Sequence, residues 1–259
     1  MATALTSSVN HWPESKCAKA FWGQQELPPY RRLLADTAEW LETRPGQRWL
    51  DLGCGCGQLT EALWGKSGGT LAEIVGLDCA AVNETAFARL KERVHPAPAA
   101  GQIRFFHADF SAGLAAFASN RFDGIVSGLA IQYAESFSEE KGCWTTDAYD
   151  HLLAETYRVL RRGGWLVFSV NVPEPAWGKV ALRSLTGIFR TGKIGRYFRN
   201  ALRMWRYGKW LTRESRRGRF HYLPLEDIMN RLAATGYVGL EYRRSYVGQA
   251  YLIRCRKPS

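Results

Sequence analysis

The chain has 259 residues, of which 46% are hydrophobic and 23% are charged, and its formal net charge is +11. This length and composition predict one domain over 1–259 with a full hydrophobic core. No apolar run approaches the ~18 residues that span a bilayer, and the start lacks a signal-peptide pattern. The six cysteines show no metal spacing. They therefore predict no metal site and, as unpaired thiols, a cytoplasmic location.

Strand and helix patterns alternate along the chain. The aromatic-rich segment 11–45 has apolar residues at helical spacing, which predicts a helical cap over 1–45. Strands are predicted at 48–52, 73–78, 103–107, 122–127 and 165–170. Helices are predicted at 58–64, 83–94, 147–160 and 225–235, and closing strands at 238–246 and 249–255. This order predicts an open α/β sheet, whose ligands bind outside the carboxyl ends of the strands.

The most informative segment lies where the first strand gives way to a helix. It reads Asp51-Leu-Gly-Cys-Gly-Cys-Gly57, with glycines at 53, 55 and 57. The glycines allow a tight turn and close approach of a ligand, and the helix offers free N–H groups to an anion. Asp51 would repel a pyrophosphate in this place. A ligand with an ammonium group beside a carboxylate fits both features, and S-adenosylmethionine is such a ligand.

Five motifs in order resemble those of class I S-adenosylmethionine-dependent methyltransferases. They cover about 48–172, and the end of the chain (222–256) is similar to the family's closing hairpin. The motifs are 51–57, Val75-Gly-Leu-Asp78, Phe106-His-Ala-Asp109-Phe110, the segment 122–133, and 158–168. The resemblance implies an open seven-stranded, mostly parallel Rossmann-like sheet with helices on both faces and an antiparallel last strand.

The resemblance also implies which residues hold S-adenosylmethionine. Asp78 would grip the ribose hydroxyls, since a carboxylate can accept from both, and Asp109 would accept from the adenine amino group. Cys79 and Phe110 would flank the adenine with apolar surface. The residues predicted to bind the cofactor are Asp51, Gly53, Cys54, Gly55, Gly57, Asp78, Cys79, Asp109, Phe110 and Ser127.

The similarity is greatest to methyltransferases of small molecules and lipids, including the ubiquinone and menaquinone C-methyltransferases. The amino-methyltransferase pattern of an acid or Asn before Pro-Pro and an aromatic residue is absent, and so is the Glu-His pair of some quinone O-methyltransferases. The resemblance therefore assigns no residue of this chain as a general base. Four weak candidates are His11, Tyr133, His221 and Tyr222, and for each an ordinary packing role is the favoured alternative.

One segment accounts for the whole net charge. Residues 173–222, a predicted basic helical insert after the fifth strand, hold 13 Lys or Arg and two acids. Within it, 194–206 forms a predicted amphipathic helix with Arg196, Arg199, Arg203 and Arg206 on one side. The charge over 179–219 suits docking on an anionic membrane, which would make the protein peripheral at the inner membrane face. A nucleic-acid platform, or a solvated helix that only covers the substrate pocket, remain alternatives.

These observations predict a methyltransferase for a small or lipophilic acceptor, acting at a membrane surface in the first interpretation of the insert. The enzyme alternative is an RNA methyltransferase that uses the basic insert. The non-enzyme alternative is a protein that binds the cofactor without turnover.

Overall fold

The computed structural model describes residues 11–12, 18, 21–184 and 194–259; for 25, 194–201, 203 and 204 it describes the backbone alone. A seven-stranded sheet runs through the centre of this part of the chain, in the order β3-β2-β1-β4-β7-β9-β8. Its strands are β1 (Arg48–Leu52), β2 (Glu73–Asp78), β3 (Ile103–His107), β4 (Phe122–Gly128), β7 (Leu160–Asn171), β8 (Val238–Ser245) and β9 (Ala250–Arg256). Two short strands, β5 (Ser136–Ser138) and β6 (Cys143–Thr145), form a separate hairpin.

The helices connect these strands. They are α1 (Pro28–Trp40), α2 (Gln58–Lys66), α3 (Val82–Arg93), α4 (Asp147–Val159), α5 (Trp177–Ser184), α6 (Ile194–Arg216) and α7 (Leu225–Thr235). The pairs from β3 to β7 are parallel, whereas β9 runs antiparallel between β7 and β8. The predicted fold, a mostly parallel Rossmann-like sheet with an antiparallel last strand, is therefore confirmed.

Two hydrophobic cores fill the faces of the sheet, because the central strands are apolar on both sides. On one face, Ile125 and Phe168 pack with Leu152 of α4 and Ile228 of α7. The other core holds Trp49, Val126 and Val167 together with Leu63 of α2, Phe87 of α3 and further residues. With helices covering both faces, the carboxyl ends of β1, β2, β4 and β7 are left open at one edge of the sheet.

The structure departs from the predicted elements in three places. The β5–β6 hairpin was not predicted, since three-residue strands are too short for alternation to show. The fifth strand, predicted at 165–170, begins earlier, at Leu160; its pairing with β4 jumps from Phe122↔Leu160 to Gly124↔Trp165, and Gly163 between them has φ +72. The basic helix extends to Arg216, well beyond the predicted end at residue 206.

The segments that flank the sheet in sequence come together above its open edge. Trp12 contacts Tyr133 after β4 and Phe220 after α6, with ring centroids 4.5 and 5.9 Å apart. The ring of His11 contacts that of Trp210 of α6 in a tilted arrangement, with the ring centroids 4.4 Å apart. The described part of the N-terminal segment and the C-terminal half of α6 thus form a roof over the carboxyl ends of the strands.

Candidate cofactor and acceptor site

The loop between β1 and α2 requires glycine at two positions. Gly53 has φ +72, and a Cβ there would lie 2.3 Å from Cβ of Ala130. Gly57 has φ +82 and precedes the first residue of α2. Gly55 also has positive φ, but a Cβ there would meet nothing within 4 Å, so the backbone borders open space. The loop is therefore closely packed at its ends and open in the middle, as the approach of a ligand to the backbone requires.

Asp51 lies behind this loop and does not line the cleft. Its Oδ2 accepts hydrogen bonds from the Thr60 backbone N–H (3.0 Å) and hydroxyl (2.7 Å), which ties β1 to the first turn of α2. Its Oδ1 is buried without a partner. Burial raises the pKa of Asp51 to about 7, against the opposing effect of the bonds from Thr60. The predicted contact with the methionine ammonium stays a prediction.

Asp78 at the end of β2 faces the cleft and also holds the loop. Its Oδ2 accepts from the Gly55 N–H and its Oδ1 from the Ala80 N–H, both at 2.8 Å. Burial raises the pKa of this carboxyl, and the two N–H bonds oppose that rise. The Asn83 side chain also hydrogen-bonds to this carboxylate, so about one of its roughly four acceptor positions remains for a hydroxyl group of a ligand while the loop stays held.

The remaining predicted cofactor residues divide into two groups. Cys54, Cys79 and Phe110 line the cleft with Gly53, Gly55 and Asp78. Asp109 and Ser127 do not: the Asp109 carboxylate accepts from the Ser111 N–H (2.8 Å), and the Ser127 hydroxyl donates to the Leu52 carbonyl (2.7 Å). The structure thus brings six of the ten predicted residues to one cleft, whereas Asp51, Gly57, Asp109 and Ser127 are not part of its lining.

The cleft has about 1060 Å³ of space, including its open mouth. One end is the glycine loop and Asp78. The other end is largely aromatic and was not predicted, because its residues come from segments far apart in sequence. The main contributors to that end are Trp12, Phe21, Tyr30, Tyr133, Asn171, Trp177, Leu211 and Tyr246.

Of the four weak catalytic candidates, Tyr133 alone lines the cleft. Its hydroxyl lies 2.9 Å from that of Tyr222, which is buried. Burial raises the pKa of Tyr133 to about 12 and also raises that of Tyr222 well above its ordinary value. Both phenols therefore keep their protons near neutral pH, which argues against either as a general base.

The two histidines hold structural contacts. His221 is buried, and its Nε2 lies 2.8 Å from the Ala134 carbonyl oxygen; burial lowers its pKa to about 4. His11 Nε2 lies 2.9 Å from the hydroxyl of Tyr207, which joins the N-terminal segment to α6. Neither histidine lines the cleft.

A buried ion pair beside the cleft was also missed by the sequence analysis. Oε2 of Glu135, which is 1% exposed, accepts from Nε of Arg219 at 2.7 Å. Burial raises the pKa of Glu135 to about 7 and Arg219 opposes that rise. The pair links the segment after β4 to the end of the basic segment, at residues that no periodic pattern marks.

Comparison with protein families shows a match over residues 50–168, which carry the family described as "Methyltransferase domain". This segment runs from β1 to β7 and contains the glycine loop, Asp78 and Asp109. Residues 50–168, a little under half of the chain, therefore match a methyltransferase domain. The resemblance to class I methyltransferases, whose cofactor is S-adenosylmethionine, is thus confirmed.

Solved structures share the fold at low sequence identity. A complex of the Haloferax volcanii Trm112 methyltransferase activator with a protein described as a methyltransferase gives a TM-score of 0.64, at 15% identity over 97% of this chain and 98% of the other. Phosphoethanolamine N-methyltransferase 2 of Haemonchus contortus, bound to S-adenosylmethionine, gives a TM-score of 0.55, at 15% identity over 94% of this chain and 57% of the other. The cyclase SpnF gives a TM-score of 0.56, at 17% identity over 88% of this chain and 80% of the other. No curated protein matches the sequence.

The residues of the methyltransferase domain fit the cofactor. The backbone at Gly55 is open to the cleft, and Asp78 lines the cleft beside it. Cys54, Cys79 and Phe110 add apolar surface beside that carboxylate. Burial raises the pKa of both thiols, so they carry no charge near neutral pH. Among the described residues, no group of three His, Cys, Asp or Glu side chains could hold a metal ion.

Proposed function

We propose that the protein transfers a methyl group from S-adenosylmethionine to a small or lipophilic acceptor. The observation that carries this proposal is the continuity of the cleft, because one space joins Gly55 and Asp78 to Tyr133, Trp177 and Leu211. Bound S-adenosylmethionine supplies an electrophilic methyl group on a sulfonium. The aromatic end then offers the acceptor a water-poor, apolar surface next to the cofactor end.

The side chains around the aromatic end are suited to positioning rather than proton removal. Tyr133 and Tyr222 keep their protons near neutral pH, and His221 Nε2 is held at the Ala134 carbonyl. The contribution of the protein is therefore alignment of donor and acceptor and exclusion of water, under a roof formed by Trp12 and Leu211. An acceptor atom that needs no base, or that ionises by itself, suits this site.

A labelled-methyl experiment tests the proposal. The purified protein is incubated with S-adenosylmethionine labelled in its methyl group and with cell extract, which is then separated into lipid, RNA and small-molecule fractions. We expect label in the lipid or small-molecule fraction. Label in RNA alone would favour the RNA methyltransferase alternative, and cofactor binding without label in any fraction would favour the non-catalytic one.

The cofactor end is tested by calorimetry with S-adenosylmethionine. Asp78→Ala removes the carboxylate that faces the cleft and frees the Gly55 N–H, so we expect affinity to fall at least tenfold. Asp51→Ala also removes the support of α2 at Thr60 and should weaken binding. Asp123→Ala is the control. The Asp123 carboxylate accepts from the Arg48 N–H at the start of β1 and does not line the cleft. Unchanged affinity in both loop variants would contradict the assignment.

We further propose that α6 brings the enzyme to an anionic membrane. Leu202, Arg206, Lys209 and Arg213 fall within about 60° of one another on a helical projection, and all four are exposed. Leu202 is 54% exposed, and Leu182 on the adjacent α5 is 67% exposed. Apolar side chains among cations suit a lipid surface. The side chains of Arg196, Arg199 and Arg203 lie outside the described residues. None of the described helices combines the length and the apolar character of a membrane-spanning segment.

Vesicle flotation tests the membrane proposal. The protein should float with vesicles that contain phosphatidylglycerol and remain below those of phosphatidylcholine alone. The triple charge reversal of Arg206, Lys209 and Arg213 to Glu should abolish flotation. The matching reversal of Arg89, Lys91 and Arg93 on α3 should not. Equal flotation of the two triple variants, or binding to RNA at the same salt without flotation, would overturn the proposal.

A further inference from the structure

One polar side chain in the aromatic end of the cleft has a hydrogen-bonding group to spare. Asn171, the last residue of β7, is 1% exposed and lines the cleft. Its backbone N–H donates to Oε1 of Gln132 at 2.6 Å, which fixes the residue in place. Its side-chain Oδ1 is buried with no hydrogen-bond partner. A buried acceptor without a partner costs free energy, so an unpaired one in a binding cleft points to a ligand that pairs it.

The surroundings determine which end of the amide is available. The side chain of Asn171 interacts with the hydroxyls of both Tyr133 and Tyr222. Those hydroxyls lie 2.9 Å apart and bond to each other. With the amide N–H₂ directed to the phenol oxygens, the carbonyl oxygen remains as a pure acceptor. The ligand group that it recognises must therefore be a hydrogen-bond donor.

The remaining walls define the body of the ligand. Trp12, Phe21, Trp177 and Tyr246 line the same end of the cleft, and Leu211 of α6 is beside them. Aromatic walls favour a flat or apolar body. Asn171 also lies two residues beyond Ser169, which pairs with Gly128 of β4, so it is at the carboxyl end of the strand next to β4 in the sheet.

We propose that Asn171 is an acceptor-binding residue whose Oδ1 accepts a hydrogen bond from a hydroxyl or N–H group on an aromatic acceptor molecule. The inference rests on the proposed methyltransferase function and deepens it, because it names the chemistry of the acceptor. It makes Asn171 a positioning and specificity residue. The atom that receives the methyl group need not be the one that donates to Oδ1.

The test compares two probes of the same shape on the full chain loaded with S-adenosylhomocysteine. The probes are 2-naphthol, which has a donor, and 2-methylnaphthalene, which has none, and calorimetry gives both affinities. In Asn171→Leu the affinity ratio of 2-naphthol to 2-methylnaphthalene should fall by about tenfold, the value of one good hydrogen bond. Phe21→Leu, which alters the apolar wall, should weaken both probes alike and leave the ratio unchanged.

Three outcomes overturn the inference: an unchanged ratio in Asn171→Leu, an equal fall in Phe21→Leu, or no binding of either probe to the wild type. Retained affinity for S-adenosylhomocysteine shows that a variant is folded, and Asn171→Ala replaces the leucine variant if that affinity is lost. A measurement on the wild type alone adds a second test. The affinities are corrected for the partitioning of each probe into octanol. After this correction, 2-naphthol and 2-naphthylamine should bind more tightly than 2-methylnaphthalene and 2-methoxynaphthalene, and equal binding would contradict the inference.

The two proposals fail in different ways. If the protein prefers probes with a hydrogen-bond donor but transfers no label to any fraction of the extract, the proposed methyl transfer is wrong and the contact at Asn171 stands. If the protein methylates an acceptor but Asn171→Leu keeps the preference for 2-naphthol over 2-methylnaphthalene, the inference about Asn171 alone is wrong.

Discussion

At the scale of single residues, Gly53 is the position where sequence and geometry agree most closely. Its role in a tight loop could be predicted from the alternating glycines, and its close approach to Ala130 is what makes a larger side chain impossible. Asn171 could not be predicted in this way. The unpaired state of its Oδ1 depends on Tyr133 and Tyr222, and a sequence does not show that these residues meet. Its place directly after a predicted strand was the signal available.

Gly53→Ala should lower both cofactor affinity and stability. The added Cβ would lie 2.3 Å from Cβ of Ala130, so the loop must move away from β4 and lose its shape. We expect at least a tenfold loss of affinity for S-adenosylmethionine by calorimetry. Gly46→Ala is the matched control. It has a similar φ of +76 and nothing within 4 Å, so it should cost about 1 kcal/mol of stability and leave affinity unchanged. Equal affinities in the two variants would contradict this account.

At the scale of secondary structure elements, the parallel strands could be predicted from their apolar runs, with β1, β2 and β3 at their observed bounds. Alternation of apolar and polar residues does not reveal β5 and β6, because a strand of three residues is too short to show a repeating pattern. The end of α6 was missed because its last two turns are rich in charge, which hides the apolar face that packs Leu211 into the cleft wall. The aromatic end of the site, which depends on α6, was missed with it.

The contact between β4 and the end of the basic segment depends on Glu135 and Arg219. Arg219→Met leaves a fully buried carboxylate without its partner, which should cost about 3 kcal/mol at pH 8. The folded-state pKa of Glu135 is already raised to about 7, so at pH 5 the carboxyl is neutral and the loss should be smaller. Urea unfolding at both pH values measures this.

Two variants control for that result. Arg216→Met breaks the exposed pair with Glu174 and should cost about 0.5 kcal/mol or less. Glu135→Leu combined with Arg219→Met removes both charges and should recover most of the stability. A loss in Arg219→Met that is the same at both pH values would show that the charge of Glu135 is not its cause.

At the scale of the whole molecule, His221 should make stability depend on pH. Its folded-state pKa is lowered to about 4 by burial, whereas the unfolded chain binds a proton near pH 6.5. Between these values the unfolded state holds more protons, so this contribution to stability is present above pH 6.5 and is lost as pH falls to 4. The loss from this group should be about 3 kcal/mol.

Asp51 and Glu135 act in the opposite direction, since their raised pKa values favour the folded state at low pH. The effect of His221 is therefore measured as the difference between the wild type and His221→Gln, which can still donate to the Ala134 carbonyl but does not titrate. The difference in unfolding free energy should shift in favour of the variant as pH falls from 6.5 to 4. A constant difference would mean that His221 does not govern this range.

The position of β9 between β7 and β8 has a consequence for synthesis of the chain on the ribosome. Until Ala250–Arg256 emerges, β7 has β4 as its single neighbour, and β8 has no strand to pair with. The seven-stranded sheet therefore cannot be completed until the end of the chain is made, although the glycine loop and its helix are finished early. The nascent protein exposes an unpaired, apolar edge along β7 throughout that interval, which is when it is most exposed to aggregation.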